Sequence, residues 1–339
     1  MDNRILIYGA TGYMGKLCAR EFLKQGLQPI LAARSMKVNA IAESLNCPAV
    51  VFSLDNPKEI AAKLQGLVLV VNLAGPFTKT QAPLIQACLQ AGCHYIDIAG
   101  EVDEMVSAFA FDDAAKQAGV MLMPGAGFGV VPTDIVAYLA KQQLPDASTL
   151  KILYATEGEA SRGTLKTVLK NINQPGVQRV NKELVEAYPA ASKMTFEVAG
   201  KSFTAVYNPW RADLFTAGLS TGIENIQTYS VFPGFVVQMM KGKLLWLRDL
   251  LVNRLLRFLP EGPNDKQLEE GSTFVMAIAS NQTTEKRVAL KGPEAYLFTA
   301  LCLREVTKRI LNGQIAAGFQ PPSYYGQELL DAIDNVQWD

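Results

Sequence analysis

Through the first 123 residues, short apolar runs alternate with stretches long enough for helices, and that alternation is what most restricts the fold. The runs are Ile5 to Tyr8, Pro29 to Ala33, Val50 to Leu54, Leu67 to Leu73, Tyr95 to Ile98 and Val120 to Met123. Between them lie segments such as Gly12 to Gln25 and Thr80 to Ala91, each followed by a glycine, Gly26 or Gly92, suited to end a helix. Apolar strands covered on both faces and joined by helical crossovers make a parallel sheet. The expected fold class is therefore α/β: a Rossmann-type doubly wound parallel sheet over residues 1 to 148, followed by a second, mixed α+β domain.

The second domain is expected over residues 149 to 339, for substrate binding or dimerisation, with a C-terminal segment that could pack back on the first. A chain of 339 residues exceeds what one hydrophobic core usually serves. Here the strand candidates alternate: TFEVAGKSFTAV with Ala199-Gly200 as a hairpin turn, a strand near Glu224 to Val231, and strands near Thr273 to Ile278 and Arg287 to Leu290. A long helix is expected from Pro293 to Leu311. The segment KGKLLWLRDLLVNRLLRFL, Lys241 to Leu259, reads as one amphipathic helix with Leu244, Leu247, Leu251, Leu255 and Phe258 on a shared face. A core or dimer contact is the ordinary use of such a face; a lid over a lipid substrate or a membrane-surface contact is the alternative.

Composition removes several function classes. With 32 basic and 32 acidic residues there is no broad positive field for a nucleic acid. Five cysteines without a CxxC pair and a single histidine, His94, offer almost no ligands for a metal site, and none is expected. The same cysteine usage fits a reducing, cytoplasmic setting. No apolar stretch is long enough to be a transmembrane segment. The expected partner is a small-molecule substrate, and a homodimer would suit the leucine-rich helix.

The sharpest motif is ILIYGATGYMGKL, residues 5 to 17, with glycines at 9, 12 and 15 between the first strand and the first helix. Glycines there let the chain turn tightly and let a pyrophosphate approach the N–H groups and positive end of the helix. The spacing is G-x-x-G-x-x-G, one residue off the commonest dinucleotide fingerprint, and a glycine turn without a ligand is the alternative. Gly9, Thr11, Gly12, Tyr13, Met14 and Gly15 are the candidate pyrophosphate residues. After the second strand no acidic residue occurs between Glu21 and Glu43; Arg34 and Ser35 stand where an NAD-binding chain carries a carboxylate for the ribose 2′-OH. A guanidinium and a hydroxyl suit a 2′-phosphate, so NADP is the expected cofactor, with NAD as the alternative.

These motifs together, GATGYMG, LAARS, VVNLAGPFTKTQAPLIQACLQAGCHYIDIAGE and GAGFGVVPTD, resemble the saccharopine dehydrogenase-like oxidoreductases, a family related to the trans-acting enoyl reductases of lipid synthesis. They cover about the first 135 residues; SRGT at 161 to 164, NPWRADLFTAGLSTGIEN and PEAYLFTALCL are similar in a looser way. The resemblance implies a nicotinamide-binding Rossmann domain and a substrate domain without fixing the substrate; an NADP-dependent oxidoreductase is expected, and a non-catalytic NADP-binding redox sensor or a lipid-surface-associated protein is the alternative.

In an open α/β sheet the ligand lies beyond the carboxyl ends of the strands. Ala74, Gly75, Pro76 and Phe77 follow the fourth strand and would let the ribose and nicotinamide pass close to the backbone. Asp97 and Glu101, at the end of the fifth, are candidate proton-shuttling or hydroxyl-binding carboxylates, the alternative being solvated loop acids. Gly125, Gly127, Pro132, Thr133 and Asp134 follow the sixth, where Thr133 or Asp134 could cap a helix. His94 opens its strand at the far end of the sheet and reads as structural. No Tyr-x-x-x-Lys or G-x-S-x-G is present, which disfavours short-chain ketone reduction and serine hydrolysis. Holding a substrate with several carboxylates calls for converging arginines, and the second domain offers only Arg162 and Arg211 near suitable sequence. A largely apolar or neutral substrate is expected, in a pocket walled by Phe77, Phe128 and residues of Asn208 to Thr221.

Overall fold

A computed structural model describes residues 5–157, 169, 172–250 and 260–339. The apolar runs of the first half become strands β1 (Ile5–Tyr8), β2 (Pro29–Ala33), β3 (Ala49–Val51), β4 (Leu69–Asn72), β5 (His94–Asp97) and β6 (Met121–Met123). Helices α1 (Tyr13–Leu23), α2 (Lys37–Ser44), α3 (Pro57–Leu64), α4 (Phe77–Ala91), α5 (Val102–Phe109) and α6 (Asp112–Ala118) alternate with them, and α7 (Val131–Gln143) follows. All strand pairs are parallel, in the order β3-β2-β1-β4-β5-β6, and a two-residue strand, Gly318–Phe319, adds to the outer edge of β6. The order reverses between β1 and β4, so their crossovers lead to opposite sides and leave a crevice at their carboxyl ends. Ile5, Ile7, Leu69, Val70, Val71 and Ile96 have no exposed surface, as expected of strands covered on both faces.

Two units divide the chain: Met1–Val131 with Thr299–Ile333, and Pro132–Phe298 with Asp334–Asp339. The boundary thus falls at Val131 rather than at residue 148, because α7 is grouped with the strands that come after it. The second unit is a mixed sheet. Its strands β7 (Thr149–Glu157), β8 (Gly176–Val180), β9 (Glu183–Ala187), β10 (Lys193–Val198), β11 (Lys201–Tyr207), β12 (Asn225–Ser230), β13 (Ser272–Ser280) and β14 (Glu285–Pro293) run β10-β11-β12-β7-β13-β14, and β8 joins β12 to β9. Only β12 and β7 pair in parallel; the other neighbours are antiparallel. The turn from β10 to β11 is Ala199-Gly200, both with positive φ (49° and 72°), as a two-residue hairpin requires. A core of Leu153, Phe196, Val198, Tyr207, Phe274 and Met276 lies on one face of this sheet.

The segment 241–259 departs from expectation. Gly242 and Leu244 have φ of 77° and 56°, so the chain turns there, and the helix is Leu245–Leu250, after a separate helix Gly234–Met240. The leucine spacing suggested a helix from Lys241, about one turn too early; residues 251–259 lie outside the described part. Among the described residues no helix is long and apolar enough to cross a membrane, and no cluster of His, Cys, Asp or Glu is arranged to hold a metal ion.

His94 opens β5 and its Nδ1 accepts the Met121 N–H at 3.1 Å, which holds β5 and β6 in register at the end opposite the crevice. Burial lowers its pKa, as suits an imidazole that must stay neutral to accept this bond.

Candidate functional site

Three glycines in the β1–α1 loop do three different things. Gly9 has φ of 91°, and a Cβ there would stand 2.7 Å from the backbone of Leu73 and Ala74, so only glycine lets β1 and β4 exit side by side. A Cβ on Gly15 would meet Gly9 O and Ala10 Cα at 2.5 Å, so this glycine packs the helix against its own loop. Gly12 is unlike both. It caps α1 with φ −78° and ψ 169°, a conformation open to any residue, and its Cβ position meets only Gly9 O, at 3.5 Å. Among the described residues nothing demands a glycine at this exposed point, yet a side chain would occupy the mouth of the helix.

That helix start has no side-chain cap and no acidic residue in its first turn, so its positive end is left for an anion. Gly9 and Ala10 donate their N–H groups to Ala32 O (2.9 and 3.2 Å), which sets the loop on β2, and Thr11, Tyr13 and Met14 are half-buried around it. Replacing Gly15 with alanine is expected to cost about 1 to 3 kcal/mol of stability through overpacking against backbone. Gly12→Ala should cost less than about 1 kcal/mol and act instead on ligand affinity. Thermal unfolding with and without NADPH separates the two; equal loss of stability in both variants would refute the distinction.

Beyond β2, Arg34 is exposed and Ser35 half-buried. Ser35 Oγ accepts the Lys37 N–H at 3.3 Å, at the start of α2. Burial raises the pKa of the Tyr8 phenol, the Arg34 guanidinium offsets this, and Asp55 adds to it, which places Arg34 near the carboxyl end of β1.

After β4, Gly75 and Pro76 are exposed, Ala74 and Phe77 are half-buried, and a Cβ on Gly75 would meet nothing within 4 Å. Ala74 is fixed by its neighbours: its N–H donates to Asn72 Oδ1 (3.1 Å) and its carbonyl accepts from Thr80 Oγ1 (2.6 Å).

Asp97 has no exposed surface, and its carboxylate accepts from Gln81 Nε2 (2.9 Å), Tyr95 OH (2.8 Å), Ala99 N–H (2.9 Å) and Gly125 N–H (3.0 Å). Burial raises its pKa and the four bonds counter the rise. A carboxylate so occupied organises the ends of β5 and β6. Glu101 is the N-cap of α5 and forms a reciprocal capping box with Glu104, whose Oε2 accepts the N–H groups of Gly100 (3.1 Å) and Glu101 (3.2 Å).

Glu104, together with Asn72, Thr80, Gln81 and Tyr95, was not singled out in the sequence; the E-x-x-E spacing from Glu101 was its only signal. Burial, and then the charge of Glu101, raise its pKa from 4.5 to about 7. The folded protein therefore favours a protonated Glu104: its contribution to stability is complete below pH 4.5 and is lost as the pH rises through about 7. Glu104→Gln keeps an acceptor for the cap and should be about 1 to 3 kcal/mol more stable than the native chain at pH 8, with little difference at pH 4.5. Chemical denaturation at the two pH values checks this, and a gain of equal size at both would exclude titration of Glu104 as the cause.

In the second unit, Thr133 and Asp134 lie in the first turn of α7. Thr133 donates to Asp213, Ser220 Oγ donates to Asp134 Oδ1 (2.9 Å), and all of Thr133, Asp134 and Asp213 are fully buried. Arg211 donates through Nε to the other oxygen of Asp213 and lies over the Tyr154 ring, 4.0 Å from its centroid. Arg162 and the SRGT motif are outside the described residues. Phe128 is buried, its N–H donating to Thr299 Oγ1 at 3.2 Å within the first unit.

A parallel sheet of this order, with a glycine loop of this kind at its switch point, has the architecture of a Rossmann-type dinucleotide-binding domain. Residues 5–123 match the family described as saccharopine dehydrogenase NADP binding domain. It is 20% identical over 379 residues to the saccharopine dehydrogenase-like oxidoreductase of Rattus norvegicus, covering 91% of this chain and 88% of that one. A trans-acting enoyl reductase of Mycobacterium tuberculosis is 28% identical over 145 residues, 40% of this chain and 34% of its own. A second mycobacterial protein of that description aligns over 52% of this chain and 46% of its own, so the match spans less than half the length of these mycobacterial relatives. In fold, the chain is similar to apo saccharopine dehydrogenase (L-Glu forming) from Saccharomyces cerevisiae, with a TM-score of 0.69 at 11% identity over 97% of this chain and 95% of that one.

Proposed function

We propose that the protein is an NADP(H)-dependent oxidoreductase whose substrate is largely apolar or neutral. In this reading the Gly9–Gly15 loop receives the pyrophosphate at the N-terminus of α1, Arg34 and Ser35 take the ribose 2′-phosphate, and the Ala74–Phe77 loop lies along the nicotinamide half. The observation that carries it is the contrast at Gly12: the glycines before and after it are required by the protein's own backbone, whereas the room above Gly12 is open. A pyrophosphate fits that space and the uncapped helix end beneath it.

When bound, the nicotinamide supplies or takes up the hydride. The chain's part is to hold and orient: Gly9 and Gly15 fix the loop, Asn72 and Thr80 fix Ala74, and Asp97 ties the turns after β5 and β6 together. The choice of a neutral substrate rests on Arg211. An arginine meant for a substrate carboxylate would be held ready for it, and this one is already paired with Asp213 and stacked on Tyr154. The name of the mycobacterial relatives points the same way, to an activated C=C bond, with C=O and C=N as the other acceptors.

The test is transfer of deuterium from 4-deuterated NADPH to a panel of enoyl thioesters, carbonyl compounds and imines, followed by mass spectrometry. Label in a neutral acceptor, with saccharopine inert, supports the reading. Efficient turnover of saccharopine would overturn the substrate class, and binding without transfer to any acceptor would overturn catalysis.

A further inference from the structure

The polar side chains of Asn72 on β4, Thr80 on α4, and Tyr95 and Asp97 on β5 form one connected chain of hydrogen bonds that reaches the turn after β6 through the Gly125 N–H. It starts at Ala74, whose peptide groups are gripped by Asn72 Oδ1 and Thr80 Oγ1. Asn72 Nδ2 donates to Thr80 Oγ1 (3.1 Å) and to Tyr95 OH (2.9 Å), and Tyr95 OH donates to Asp97 Oδ2 (2.8 Å). The other Asp97 oxygen accepts from Ala99 and Gly125, so the chain joins the turns after three neighbouring strands. Asn72, Tyr95 and Asp97 have no exposed surface.

The direction of every bond is fixed from the Asp97 end. Asp97 accepts from four donors, and the single Tyr95 proton is one of them. The phenol oxygen can then only accept from Asn72, which turns the Asn72 amide so that Oδ1 faces the Ala74 N–H. Thr80 receives the second proton of that amide, and its own proton is left for the Ala74 carbonyl. One buried carboxyl group is thereby linked to the Ala74 peptide through three side chains. Low polarity around Tyr95 and Asn72 strengthens each link.

We propose that Asp97, Tyr95, Asn72 and Thr80 are positioning residues for the nicotinamide half of the cofactor, acting through the Ala74–Phe77 loop. This rests on the NADP(H) reading above. Positioning differs from plain structural support in a measurable way: it should affect the whole dinucleotide and spare a ligand that stops at the adenosine half.

Dissociation constants for NADPH and for adenosine 2′,5′-bisphosphate, measured by calorimetry at fixed salt, provide that contrast. Thr80→Val removes the hydroxyl with little change of shape at a half-buried site, and Tyr95→Phe cuts the chain in the core. Each is expected to weaken NADPH about 10-fold while the bisphosphate changes less than about twofold. Thr80→Ser should restore NADPH binding to within about threefold of the native value. If Tyr95→Phe does not fold, Thr80→Val and its serine counterpart decide alone. Unchanged NADPH affinity in Thr80→Val, or equal weakening of both ligands, overturns the positioning role. A native protein that binds neither ligand overturns the cofactor reading itself, and with it this one.

Discussion

Arg34→Asp is expected to convert a preference for NADPH into a preference for NADH. A hydrogen bond to a charged group contributes roughly 1.5 to 3 kcal/mol, so Arg34, if it reaches the 2′-phosphate as proposed, would give the native protein about a 10- to 150-fold preference for NADPH. The aspartate removes that bond, adds repulsion toward the phosphate, and can accept from a free 2′-OH. The combined swing in relative affinity should exceed about 100-fold. Arg34 is exposed on the turn after β2, and the substitution should leave the fold intact. In the proposed reading the Gly9–Gly15 loop would meet a pyrophosphate common to both cofactors and could not discriminate, so the result isolates the turn after β2. Equal binding of NADH and NADPH by the native chain would reduce Arg34 to a surface charge.

Removing Arg211 is expected to be among the most destabilising single changes in the second unit. Asp213 is fully buried and its two oxygens are served by Arg211 and Thr133. Arg211→Met leaves that carboxylate short of its counter-charge, and breaking a buried pair from one side costs about 3 to 5 kcal/mol. Arg211→Met with Asp213→Leu removes both charges and should recover a large part of the loss, because two apolar side chains need no partner. Urea denaturation of the two variants measures both numbers. A single variant within about 0.5 kcal/mol of the native chain would mean that Asp213 finds another donor, and the neutral-substrate reading would lose its support.

The first unit was legible in the sequence because its information is local. Strand positions follow from runs such as Ile5 to Tyr8 and Leu69 to Asn72, and helix ends from Gly26 and Gly92. Ala199-Gly200 gave the β10–β11 turn for the same reason. What the sequence hid is polar and long-range. Asn72 looks like the frayed end of an apolar run, and its meaning depends on Tyr95, which is 23 residues away. Thr133 and Asp213 are 80 residues apart, and no spacing rule joins them. Asp97 drew notice as a candidate acid, yet only its four donors show what it does in the fold. The segment after Lys241 failed differently: leucine spacing reports a helical face but not where the helix starts, and the left-handed residues Gly242 and Leu244 set that start.

The return of the chain to its first unit has a consequence for synthesis and for dissection. Strand Gly318–Phe319 pairs with β6, Arg304 reaches Glu21 on α1 at 3.8 Å, and Thr299 accepts the Phe128 N–H, so the last tenth or so of the polypeptide completes what the first third begins. A ribosome that has released only residues 1–131 has made the glycine loop and six strands but left the outer side of β6 without its partner. Parallel edges of that kind are open to pairing with a stranger. A fragment cut after Val131 should therefore be more aggregation-prone than the full chain, and a circular permutant that fuses 299–333 ahead of residue 5 should reduce that tendency.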